Sequence, residues 1–217
     1  MITYDITLNG VKVQKAIPTK YEEVSFKNFI ALEDNKEITA VSLFTGIDKE
    51  TLKKANISNL DSLLKSLSFL QTPPALLNIP DEIAGIKVSK DIGFEAFGMF
   101  TDLKDELDKG LEGMELLKQY PLFCAIYCTR PYDFMVSQSR VEEFENMPCV
   151  EVLALGNFLL MKLVALKSIT APTSLKPLTL LRKVKLALIS WRARLAFQVR
   201  FFIWKRKAST PLSKLSS

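Results

Sequence analysis

The seventeen residues VEVLALGNFLLMKLVAL, Val150 to Leu166, decide the fold class. Apolar side chains occur on every face of a helix drawn through them, and the run is too long for one strand. The longest charge-free part, Val152 to Met161, is ten residues. A membrane span needs about 20. Only Lys162 and Lys167 interrupt the interval Val152 to Leu175. Pro172 and the polar groups at Ser168–Thr170 and Thr173–Ser174 stand against a span. A strongly apolar helix in a mainly helical protein is the expectation.

Punctuation on either side supports that class. Upstream, Ile2, Tyr4, Ile6 and Leu8 alternate with polar residues, Asn9-Gly10 follows, and Val11 and Val13 alternate again. Asn-Gly between alternating runs predicts a hairpin, because both turn positions take positive φ. VSFKNFIAL predicts a helix with Ser25 as N-cap and Phe26, Phe29 and Ile30 on one face. The next segment parses into three short helices. The first carries Ile38, Val41, Leu43 and Phe44 and ends at Gly46. The second is capped by Asp48 and contains Leu52. The third opens at Ser58, with Asp61 completing a capping box, and bears Leu60, Leu63, Leu64 and Leu67 until Pro73-Pro74.

ALLNIPDEIAGIKV predicts a second hairpin around Pro80-Asp81 and Gly85. A helix over Phe94 to Leu107 follows, then a break at Gly110 and Gly113 and a helix from Glu115. Gln119 to Cys128, with Pro121 near its start, predicts a core helix that ends at Arg130-Pro131. SRVEEFENM predicts a short acidic helix, and Pro148 opens the last section. Pro172 and Pro177 mark a connector. The fold class expected is α+β and mainly α-helical, with a small N-terminal β-hairpin region, a multi-helix body and a long basic C-terminal helix.

Charge divides the chain. Residues 1–151 hold 16 Lys and Arg against 24 Asp and Glu, whereas residues 152–217 hold 13 Lys and Arg and no acid. The expected organisation is an acidic α+β body over 1–150 and a basic helical module over 151–217 with its own partner.

Composition also removes chemistry. The chain has no histidine, so it lacks the commonest general base and metal ligand, and no Ser–His or Cys–His pair can form within it. Three cysteines, Cys124, Cys128 and Cys149, fit a reducing compartment rather than a disulfide scaffold. Cys124 and Cys128 would share a helix face, but a third and fourth ligand are not evident. Buried structural thiols are expected. Glu142, Glu143 and Glu145, and Asp102, Asp105, Glu106 and Asp108, could do acid–base or metal chemistry as sets. Interleaved lysines make them solvated helix faces. The glycines lack the strand and GKS/T or GxGxxG context of a phosphate cradle. The N-terminus MITYDITLNG has no basic segment followed by an apolar one, and reads as no signal peptide. The expectation is no enzyme, no cofactor, no metal and no small-molecule substrate.

The C-terminal stretch WRARLAFQVRFFIWKRK, Trp191 to Lys207, has six cations and no anion. A helix over Leu178 to Lys207 places Leu181, Val184, Leu188, Trp191, Leu195, Val199 and Phe202 on one stripe. Leu186, Phe197, Phe201 and Trp204 form a second apolar face. Arg192, Arg194, Arg200, Lys205, Arg206 and Lys207 fill the sectors between. Three partners answer to that composition. DNA would release counterions to the cations, but these surround the helix and form no single basic face. An anionic membrane would take the aromatic anchors and the cations, but needs one wide apolar face opposite one basic face. Other subunits account for both apolar faces, with Arg pairing carboxylates and stacking on rings.

Two stretches resemble a known group. SLFTGIDKETLKKANISNLDSLLKSLSFL carries Leu43, Thr45, Gly46, Ile47, Asp48, Asp61 and Phe69-Leu70. This is similar to the pattern of bacteriophage tail-assembly-chaperone-like proteins. SRVEEFENMPCVEVLALGNFLLMKLVALK carries Met147, Pro148, Glu151, Phe158 and Lys162. It resembles a segment of phage virion and assembly proteins, where a charged helix leads through Met-Pro into a Phe-containing apolar helix ending in Lys. Typical chaperones of that kind are shorter and lack so basic and aromatic a C-terminal helix. The resemblance therefore implies a small virion structural or packaged cargo protein of the head–tail region, made in the bacterial host cytoplasm and carried in the virion. Its partners would be copies of itself and other phage structural proteins, with DNA contact, or membrane contact on ejection, as further roles. A tail-assembly chaperone that leaves before maturation is the alternative.

Overall fold

The computed structural model describes residues 1–8, 11–34, 40–48, 50–51, 63, 65–72, 74, 79, 81–89, 94 and 96–170. The fold is α+β and mainly helical. Strands β1 (Ile2–Leu8) and β2 (Val11–Ile17) pair antiparallel, with Ile2 opposite Ile17, Ile6 opposite Val13 and Leu8 opposite Val11. Alternation sets their sides: Tyr4, Ile6 and Ile17 are buried, and Thr3 and Asp5 face water. Asn9-Gly10, the expected turn, lies outside the described residues.

A 3-10 turn at Tyr21–Glu23 leads into α1 (Phe26–Asp34). The Ser25 hydroxyl accepts the Asn28 N–H at 3.3 Å, as the cap reading requires. α2 (Ala40–Thr45) closes at Gly46, whose φ of 68° is the left-handed helix stop that glycine adopts without a Cβ clash. Asp48 Oδ1 accepts the Thr51 N–H at 2.8 Å. Ile38, Leu52 and the Ser58 to Asp61 capping box lie outside the described residues. Leu63 is helical and buried, and a 3-10 turn at Leu67–Gln71 follows it.

The second hairpin, β3 (Glu82–Ile83) with β4 (Ile86–Lys87), pivots on Ala84-Gly85 and so uses the expected Gly85. Both turn residues have positive φ, 49° and 74°, which is the twist-matched two-residue hairpin geometry. α3 (Phe97–Asp108) starts three residues later than Phe94. α4 (Met114–Lys118) follows Gly110 and Gly113, both at positive φ. α5 (Tyr120–Cys128) is buried at all positions but Leu122. Arg130-Pro131 ends it with a cis bond. α6 (Phe134–Ser139) was not anticipated; Asp133 caps it by accepting the Val136 N–H at 3.1 Å. α7 (Val141–Asn146) is the expected acidic helix.

α8 (Cys149–Thr170) is longer at both ends than Val150 to Leu166. Among the described helices it is long and apolar enough to cross a membrane, yet 61% of its Cys149–Leu166 stretch is buried inside the fold. A helix apolar on all sides needs cover on all sides. α8 receives it from α5, α1, α3 and the 3-10 turn at Tyr21–Glu23. Backbone bonds fasten its start to the start of α1: Phe26 N–H donates to Met147 O at 2.9 Å, and Cys149 N–H donates to Val24 O at 2.8 Å. α8 thus runs across the 150/151 division drawn from charge. Val152, Leu155, Leu159 and Leu163 belong to one buried cluster with Phe26, Phe29, Phe123 and Ile126.

Candidate interaction surface

The stripe Leu181, Val184, Leu188, Trp191, Leu195, Val199 and Phe202 lies outside the described residues. So do Phe197, Phe201 and Trp204, the cations Arg192, Arg194, Arg200, Lys205, Arg206 and Lys207, and the connector prolines Pro172 and Pro177. The structure shows the body against which such a segment would act.

Its surface carries six exposed large apolar side chains among the described residues: Met1, Ile2, Phe97, Met135, Val136 and Met161. Three of them adjoin one joint. Tyr132 Oη donates to Asp102 Oδ2, tying α3 to the segment ahead of α6. A Cβ on Gly98 would sit 3.1 Å from Tyr132 Cε1, so the tyrosine ring lies on the α3 backbone. Phe97, 83% exposed, is next to Gly98. Met135 and Val136, 71% and 48% exposed, lie three and four residues after Tyr132, in the first turn of α6. Burial and the Asp102 carboxylate push the Tyr132 phenol up, so it remains a donor. This joint ties α3 to the start of α6, with Phe97, Met135 and Val136 exposed on the two segments that it connects. Sequence reasoning missed it because Phe134-Met135-Val136 has neither helical nor strand spacing.

The other carboxylates lie mostly as expected on solvated faces. Lys104 Nζ bonds Asp108 at 2.9 Å, and Arg140 spans Glu143 with bonds of 2.9 and 3.2 Å. Glu106 departs from that expectation. It continues the buried face of Met99 and Leu103 at helical spacing, so its stem is buried and only its tip reaches Lys109 Nζ, at 2.5 Å. Among the described residues no set of three His, Cys, Asp or Glu could hold a metal. The three thiols are free and buried. Cys124 donates to Val152 O at 3.8 Å and Cys149 to Tyr21 O at 3.3 Å. Burial pushes Cys128 and Cys149 up to about 12, and Cys124 well above its ordinary value. They are packing groups that stay protonated.

A second arrangement was not foreseen. Lys162 is buried on α8, and its ammonium stands over three rings: Phe158 at 4.9 Å, Phe94 at 5.2 Å and Tyr127 at 5.7 Å. Its Nζ donates to Ser89 O at 3.2 Å, and the Ser89 N–H donates to Tyr127 Oη at 2.9 Å. Rings within about 6 Å attract a cation through their negative faces. The cluster joins α5, α8 and the segment after β4. Phe158 and Lys162, two positions of the phage-like pattern, are one helical turn apart and in direct contact. The visible signal was a single cation in an apolar run four residues after an aromatic.

An open depression of about 420 Å³ is lined by Ile2, Tyr4, Thr19, Lys65, Ser66 and Ser68. It is shallow, and one side is closed by the Tyr4 to Ser66 hydroxyl pair. No family model, no curated protein and no solved structure matches this chain.

Proposed function

We propose that the chain is a non-enzymatic bacteriophage virion protein, a structural or packaged cargo component of the head–tail region, acting through multimeric protein–protein contacts. The observation that carries this reading is a complementarity. Residues 1–151 hold 24 Asp and Glu against 16 Lys and Arg, while residues 152–217 combine 13 cations, no anion and a dense run of aromatics. Carboxylates repel phosphates and anionic headgroups, so the body surface favours a protein partner over nucleic acid or lipid. The phage assignment is supported by the two resembling stretches, Ser42 to Leu70 and Ser139 to Lys167. The thiols are buried, and the reading requires neither catalysis nor a cofactor.

Mass spectrometry of purified particles tests it. A stoichiometric signal for this chain in mature virions is expected. Its presence in infected cells on an assembling tail component, with none in finished particles, would establish the tail-assembly chaperone instead.

A further inference from the structure

We infer that residues 178–191 fold back, antiparallel, on one open stripe of α8 in their own chain, and that residues 192–207 are thereby left to a partner. Helical spacing places Asn157, Met161, Val164 and Ala165 on one side of α8. Met161 is 44% exposed, and the other three are partly exposed. Val152, Leu155, Leu159 and Leu163 lie on the opposite side at the same spacing, and each is fully buried. Ala154, ahead of Asn157 on the open side, is also buried. The opening is therefore a stripe and not a general exposure of the helix. From Asn157 to the end of α8 at Thr170 is about 20 Å.

The chain itself names the occupant. Seven residues, 171–177, lie between the end of α8 and the helix predicted from Leu178. Helix connections this short join antiparallel neighbours. So short a tether holds the segment at a millimolar effective concentration, which favours it over a free second copy. The register agrees. Val164 is six residues before Thr170, and Val184 is six after Leu178. Met161 is nine before, and Leu188 ten after. Asn157 and Trp191 are each thirteen away. Val184, Leu188 and Trp191 belong to one predicted stripe, so they meet the open side of α8 turn for turn. Asn157 Oδ1, which accepts the Tyr120 hydroxyl at 2.8 Å, has a second lone pair for the Trp191 indole N–H. Past Trp191 the seat is closed, because it continues on α8 as the buried Ala154. Six of the nine Lys and Arg in 178–207 follow Trp191, together with Phe197, Phe201 and Trp204. The fold-back thus carries the cations and the second apolar face beyond the stripe, and it stands whether or not the chain is a virion component.

The test uses full-length chain throughout. A Met161→Cys, Leu188→Cys double variant is treated with a short bis-maleimide, from which the three native thiols are shielded by burial. A thermal melt checks the fold. Peptides joining positions 161 and 188 are expected, with a yield about tenfold or more above that of a Met161→Cys, Phe201→Cys pair. In a mixture of ¹⁵N-labelled and unlabelled double variant, both arms of each link should carry the same isotope. Hydrogen exchange on the unmodified chain, at high dilution, gives a second reading. Amides of 178–191 should exchange about tenfold or more slowly than those of 192–207. Links of mixed isotope would give the stripe to a second copy. Equal yields at 188 and 201 would remove the register, and equally fast exchange across 178–207 would remove the fold-back. Each of these three results overturns the inference, and none bears on the mass spectrometry of particles that decides the virion reading.

Discussion

The ring of Tyr120 lies against the backbone of Gly156, so that a Cβ there would sit 2.9 Å from Tyr120 Cε2 and closer still to Cδ2 and Cγ. The phenol of the same tyrosine donates to Asn157 Oδ1 at 2.8 Å. This pair sets how closely α5 approaches α8. Glycine is required here for its missing side chain, since the position lies inside a helix. Gly156→Ala gains helix propensity of about 1 kcal/mol. It also forces a fully buried ring out of place, which costs about 1–3 kcal/mol or more. A net loss of stability is expected, read as a lower urea midpoint. A variant as stable as the parent would show that the two helices can separate freely.

Lys162 gives a second prediction. Lys162→Ala removes a buried stem and a cation held over three rings, and should cost about 2–4 kcal/mol. Lys162→Met keeps the stem and loses the charge and the bond to Ser89 O, and should fall between Ala and the parent, at about 1 kcal/mol. Urea unfolding of the three proteins gives the order. Adding Phe158→Leu to Lys162→Met should give less than the sum of the single effects, because the two side chains share one contact.

The buried thiols predict a pH dependence with a definite sign. Cys128 and Cys149 are pushed by burial from an ordinary 9.0 up to about 12. Above about pH 9 the unfolded chain sheds these protons and the folded chain keeps them. The unfolded state then binds fewer protons, so stability falls as pH rises from about 9 to about 12. Each thiol contributes roughly 1.4 kcal/mol per pH unit in that window. The urea midpoint should be flat below it and decline within it. Cys128→Ala should make the decline shallower. At neutral pH the folded chain should resist iodoacetamide, with labelling appearing only in denaturant.

Asp133 caps α6 and is exposed. Asp133→Ala frees the Val136 N–H from its acceptor and should lower stability by about 1 kcal/mol. Asp133→Asn keeps an acceptor and should retain most of it. If charge at this position also steers the basic segment, Asp133→Asn should slow self-association at low salt while leaving the melting temperature near that of the parent.

Much of the fold was legible because its signals are local. Ser25, Gly46 and Asp48 act through neighbours one turn away, and each stands where its residue type predicts. Gln119 to Cys128 was recognisable as a core helix because its run is apolar and aromatic, and Val150 to Leu166 as a strongly apolar helix. What escaped depends on distant partners. Ala84 takes a positive φ that no alanine advertises, so only the Gly85 half of the second hairpin's turn was marked in the sequence. Glu106 is buried because α3 presents that edge to the body, a fact absent from its own sequence neighbourhood. The Tyr132 to Asp102 bond joins residues 30 positions apart, and no short window along the chain contains both. The division at 150/151 followed charge, whereas packing follows apolar surface, and α8 carries that surface past the change of sign.

The exchange between Val24 to Phe26 and Met147 to Cys149 has a bearing on synthesis. A ribosome makes the first strand pair and α1 long before α8 emerges. Until Cys149 to Leu163 are released, Phe26, Phe29 and the inner side of α5 have no lid, and the apolar surface of the nascent chain stays open to water. Closing so large a loop late is slow compared with forming its helices. The unfinished chain is therefore the form most exposed to chaperones and to mispairing with its neighbours on the same messenger.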